Sequence, residues 1–118
     1  MKKTVAMILV LAICCMMGTA FARSGELDPM TDLGAGLVTA AQGIIKTHLS
    51  YPLTAKFLTL YKWSIRYNDS TYIVMGTVTY QNAFGVPKEE TCTVWFTYTG
   101  GDTASPFFTI IGDMSWFE

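Results

Sequence analysis

Apolar positions between residues 33 and 48 recur at helical spacing: Leu33, Leu37, Ala40, Ala41, Ile44 and Ile45, with His48 extending the stripe. Asp28-Pro29 ahead of them reads as a helix start, with Asp28 as the N-cap and Pro29 in the first helical position. Asp32 places negative charge near the positive end of the helix dipole. Pro52 disfavours helical geometry at Tyr51, which predicts a helix end near Ser50. Gly34, Gly36 and Gly43 each weaken the helix by about 1 kcal/mol relative to alanine. They read as points where the helix comes close to a sheet.

After Pro52 the period changes from 3.6 to 2. Phe57 to Tyr67 places large residues at Phe57, Tyr61, Trp63, Ile65 and Tyr67, with polar residues between several of them. Asn68-Asp69-Ser70 is a turn. Thr71 to Gln81 is a second strand, with Tyr72, Val74, Gly76, Val78 and Tyr80 on one face. Asn82 to Pro87 is a loop. Glu89 to Thr99 is a third strand, with Cys92, Val94, Phe96 and Tyr98 opposite a face of Thr91, Thr93, Trp95, Thr97 and Thr99. Phe107 to Gly112 is a fourth, extending toward Trp116. The expected fold is α+β: one N-terminal helix packed on a four-stranded antiparallel β-meander, with Leu37, Ala41, Ile44 and His48 across one sheet face. Residues 23–118 hold 14 threonines and 15 aromatics, the excess that a half-buried pleated surface favours.

The pattern before the helix is different. Residues 1–22 contain 17 hydrophobic residues. Lys2-Lys3, an uncharged run from Thr4, and Ala20-Phe21-Ala22 form the three regions of a secretory signal peptide cleaved after Ala22. Two alternatives stay open. From Thr4 to Ala22 is 19 uncharged residues, near the length of a membrane anchor. Cys14 or Cys15, behind Leu11-Ala12-Ile13, is a candidate lipidation site. The predicted organisation is therefore a leader over 1–22, a flexible entry segment over 23–27 and one domain over 28–118, exported to the periplasm or outside a bacterial cell. No membrane span is expected after cleavage.

Residues 23–118 carry six basic and nine acidic side chains, a net charge of −3, with no basic cluster. Nucleic acid is excluded as an expected partner, because phosphate binding needs concentrated positive charge. Anionic membrane surfaces are disfavoured for the same reason. One cysteine, Cys92, stays in this part, so no internal disulfide is expected. Its alternation with Val94 and Phe96 predicts burial. His48 is the sole histidine and reads as a helix C-terminal residue. A Cys92–His48 nucleophilic pair is the sharpest enzymatic alternative, and it needs the two within hydrogen-bond reach. No catalytic, cofactor-binding or metal-binding set is expected: Glu89 and Glu90 are adjacent in a strand and point to opposite faces.

Two segments, Ile45 to Phe57 and Gly76 to Gly85, resemble parts of small exported or phage-associated bacterial domains. Residues 45–57, Ile45 to Phe57, are similar to their LxxPxTAKF helix-to-strand junction. Residues 76–85, Gly76 to Gly85, are similar to their QNxFG strand and turn, and Cys92 falls where they often carry a cysteine. The likeness covers roughly residues 45–93. Near Lys88, where the group has a basic position, Glu89-Glu90 departs from the pattern. The resemblance implies a helix-plus-sheet module with no established activity.

The expected function is noncovalent recognition at the cell envelope, without a cofactor, of a protein or a saccharide. The candidate recognition surface is Trp95 on the threonine face together with Gln81, Asn82 and Phe84 on the loop. The alternatives are the Cys92/His48 enzyme and a structural subunit that forms a homodimer through the C-terminal aromatics.

Overall fold

The structure, a computed structural model, describes residues 24–101 and 103–118. The expected leader, its cleavage and the lipidation at Cys14 or Cys15 lie outside the described residues, as do Arg23 and Asp102.

The described residues form one helix and an antiparallel sheet of seven strands. In chain order these are β1 (Ser24–Leu27), α1 (Asp32–Thr47), β2 (Lys56–Phe57), β3 (Ser64–Asn68), β4 (Thr71–Gln81), β5 (Pro87–Thr97), β6 (Ser105–Ile111) and β7 (Met114–Phe117). The sheet order is β1-β3-β4-β5-β6-β7, with β2 also pairing with β4. The α+β plan with an antiparallel sheet thus holds, and the count of four strands is corrected to seven. No described helix is long and apolar enough to cross a membrane.

The three added strands have separate causes. Residues 24–27, expected as a flexible entry segment, pair with β3 from Ser24↔Asn68 to Leu27↔Ile65. Leu27 packs against the main core, which holds this otherwise polar segment in place. The single strand expected over 57–67 is interrupted. β2 and β3 both lie along β4, at Phe57↔Val78 and Ser64↔Met75, and the chain between them leaves the sheet through a 3₁₀ turn at Leu60–Lys62. Trp63 fills the gap. A side-chain carbon at Gly76 would lie 2.6 Å from the Trp63 ring, so the indole packs over Gly76 on the core face of β4. Its Nε1 donates to the Leu58 carbonyl (3.1 Å). Finally, Gly112 takes φ +59 and turns the chain back, so the C-terminal aromatics become β7.

The helix begins later than predicted. Thr31 is the N-cap and its Oγ1 accepts from the Gly34 amide (3.1 Å). Asp28 caps the preceding turn instead, accepting from the Met30 amide (2.9 Å). That turn folds back on the helix: a side-chain carbon at Gly34 would lie 2.2 Å from the Asp28 carbonyl oxygen. Gly34 therefore serves this crossing, while Gly36 and Gly43 have open space beside them. The helix ends at Thr47 with His48 as C-cap.

Leu37, Val38, Ala41 and Ile45 are the buried helix side chains, a stripe turned slightly from the predicted Leu37, Ala41, Ile44 and His48. They meet Tyr72, Val74, Val78, Cys92, Val94, Phe96 and Ile111 from the sheet. These are the alternate positions read from the sequence, so the faces of β4 and β5 fall as predicted. A second, smaller cluster of Trp95 and Phe108, flanked by Ile73, Phe107 and Ile110, lies on the face away from the helix.

Candidate functional site: a projecting hairpin end

β4 and β5 outrun β6, while on the other side β2 lies along β4 as far as Lys56↔Thr79. β6 stops at Ile111↔Cys92, opposite Gly76, whereas the β4–β5 ladder continues to Gln81↔Pro87. Five further residues per strand project about 17 Å beyond β6 at about 3.4 Å per residue. The connection at the end of this arm is tightly held. Asn82 Oδ1 accepts from the amides of Phe84 (2.9 Å) and Val86 (3.0 Å). The Asn82 amide donates to the Val86 carbonyl and the Gly85 amide to the Asn82 carbonyl, both 2.9 Å. Gly85 supplies the positive φ (+75) that closes the loop.

The segment after the helix docks beside this loop. The Gln81 amide donates to Thr54 Oγ1 (3.0 Å), and the Tyr51 hydroxyl reaches the Ala83 carbonyl at 3.5 Å. Thr54 Oγ1 also donates to the Tyr51 carbonyl (2.6 Å), and a 3₁₀ turn spans Pro52–Thr54. Two separate stretches of chain therefore meet at one end of the molecule. Between them they present Leu53 (101% exposed), Phe84 (90%), Val86 (49%) and Tyr51 (46%). Among the described residues, Leu53 and Phe84 are the most exposed of the large hydrophobics.

The four candidate residues from the sequence are thus placed in different settings. Gln81 is exposed at the base of the loop and Phe84 is at its tip. Asn82 is half-buried and its side-chain oxygen is spent on the loop backbone, so it shapes the site. Trp95 is corrected: it lies on the threonine face, as read, but is 8% exposed and tilted against Phe108 with ring centroids 5.4 Å apart. A ring in that position offers no open surface for stacking. Its Nε1 is buried without a hydrogen-bond partner among the described residues. Tyr51, Leu53 and Val86 were not singled out from sequence. The available signal was Leu53 itself, a large apolar residue inside a Pro-Leu-Thr turn.

The possible nucleophilic pair is not assembled. Cys92 is fully buried, and burial pushes its thiol up to about 12. It is therefore a neutral thiol at neutral pH, the wrong state for a nucleophile. His48 is engaged elsewhere. Its Nε2 lies 2.8 Å from Glu118 Oε2, and its ring stacks on Trp116 at 4.1 Å and 11°. This contact joins the helix C-terminus to the last strand, a link invisible at a separation of 70 residues.

A polar groove of about 680 Å³ runs beside the arm, lined by Tyr80, Asn82, Lys88, Glu90, Thr91, Gly112 and Asp113. Burial, then Glu90 and Asp113, raises the Tyr80 hydroxyl above its ordinary value, so it stays a neutral donor. Among the described residues no group of three or more His, Cys, Asp or Glu side chains is placed to hold a metal ion.

Compared with known proteins, the chain matches no family model, no curated protein and no solved structure.

Proposed function

We propose that this chain is an exported bacterial module that acts at the cell envelope by noncovalent recognition, with the hairpin end as its binding site. One observation carries this reading. Large apolar side chains from two chain segments are held in the open by a hydrogen-bonded scaffold, where water contact is unfavourable for each of them. Rigid support of this kind lowers the entropy lost on binding, because the loop does not have to be ordered first. The chemistry is that of an apolar contact with a polar margin, and it uses no cofactor.

Site-specific photocrosslinking in cells tests the assignment. A photoreactive side chain in place of Phe84 is expected to yield adducts with envelope components. The same group in place of Met30, exposed ahead of the helix, is expected to yield none. Equal labelling from both positions, or none from either, would rule out the hairpin end.

A second reading, a subunit that pairs through its C-terminal strand, has one observation in its favour. β7 ends the sheet with Met114 42% and Phe117 60% exposed and no charged residue within the strand. Uncharged edge strands recruit further strands. Light scattering at high protein concentration decides it; a monomer removes the reading.

A further inference from the structure

We infer that the partner met by the hairpin end is a lipid bilayer surface, into whose interfacial layer Phe84 and Leu53 insert; this rests on the assignment of that end as the binding site. Three features point to lipid.

The first is shape. Two grooves of the described surface include none of the apolar tip residues: one lies between the helix and Tyr98, Gly101 and Thr103, and another beside the arm. The apolar residues at the tip are convex. A fluid acyl region yields around such a tip and accepts it without a matching pocket.

The second is the set of side chains at the tip. Phe84 and Val86 come from the loop and Leu53 from the neighbouring turn. Tyr51 stands beside them, half-exposed, with its hydroxyl reaching the Ala83 carbonyl. An aromatic ring with a polar tip is suited to the headgroup level. Gln81 and Asn82 add polar groups at the same level.

The third is charge. The first ionic side chain behind the loop is Lys88, paired with Tyr80. Lys56 and Glu89 follow together at Thr79, and Glu90 comes one position further back, at Val78. A lysine nearest the tip complements lipid phosphates, and a long stem lets its ammonium stay at the interface. The lysines are matched by Glu89 and Glu90, so apolar insertion dominates and net attraction to anionic lipid is weak. This agrees with the acidic balance of the chain.

The test uses the full chain and a local readout, because an N-terminal apolar segment would itself carry the protein to vesicles. Phe84→Trp is titrated with phosphatidylcholine vesicles whose acyl chains carry a bromine quencher. Met30→Trp, in the turn between β1 and the helix, serves as the control. The expected result is a blue shift and quenching from position 84 and neither from position 30, unchanged by added salt. Leu53→Asp in the Phe84→Trp background weakens the partitioning about tenfold or more, whereas Leu53→Ile leaves it nearly unaltered, since a fluid phase reads hydrophobicity and not shape. Circular dichroism confirms that each variant is folded, as expected for side chains that touch little of the core.

Absence of quenching at position 84 overturns the inference. So does quenching equal to that of position 30, binding confined to phosphatidylglycerol vesicles and abolished by salt, or sensitivity to Leu53→Ile. Photocrosslinks from position 84 to a protein, with no vesicle insertion, would overturn the lipid partner while leaving the hairpin end as the binding site. The absence of both signals would overturn both.

Discussion

Cys92 shows how one side chain is assigned by its surroundings. The alternation with Val94 and Phe96 predicts burial, and the residue is fully enclosed in the helix-facing cluster. The consequence is measurable. The unfolded thiol titrates near its ordinary 9.0, while the folded one holds its proton up to about 12. Stability contributed by the neutral buried thiol is complete below the unfolded value and is lost as pH rises from 9.0 toward 12. The slope for one group is at most about 1.4 kcal/mol per pH unit. Urea midpoints taken on either side of pH 9.0 are expected to fall more steeply for wild type than for Cys92→Ala; equal slopes would contradict a sealed thiol. Burial of Cys92 was legible because β-strand alternation is local. The company of His48 was not. Its partners Trp116 and Glu118 lie far away in sequence, and nothing in the helix pattern names them.

Elements differ in how far local chemistry defines them. β4 spans Thr71–Gln81, the range expected from its alternation, because Asn68-Asp69-Ser70 and Asn82 punctuate both ends. The β4–β5 turn is equally local. Asn82 builds it by accepting two amides, so Asn82→Ala hands both to water in this exposed loop. The expected loss is about 0.5–1.5 kcal/mol for each bond. Amide exchange at Phe84 and Val86 is expected to accelerate, with Val94 in the sheet centre little changed. Unaltered exchange at the two loop amides would show that backbone pairing alone holds the tip. The split of β2 from β3 had no local signal. Residues 57–67 alternate well enough for a continuous strand; the break exists because Trp63 needs the space over Gly76 on another strand. β1 is similar: its Ser-Gly-Glu-Leu sequence is weak as a strand and is ordered by pairing with β3.

At the scale of the whole molecule, the helix covers one sheet face and the C-terminal strand is tied to the helix by side-chain contacts. His48, at the C-cap of α1, stacks on Trp116 of β7 while Glu118 meets its Nε2. A double-mutant cycle with His48→Ala and Trp116→Ala, read by urea denaturation, is expected to give a coupling of about 0.5–1.5 kcal/mol. Strict additivity would mean that the stack contributes nothing to closure. The sequence by itself determined the class of fold, the hairpin of β4 and β5 and the faces of both strands. It also determined the burial of Cys92 and the exposure of Phe84 in a turn. All of these follow from periodicity and turn chemistry, which act over a few residues. The tertiary structure alone decided that Trp95 is covered by Phe108, that Leu53 and Tyr51 stand beside Phe84, and that the strand over 57–67 is broken. Each of these depends on which distant segments share a space, and steric exclusion and hydrogen bonding between them come into play only as folding brings them together.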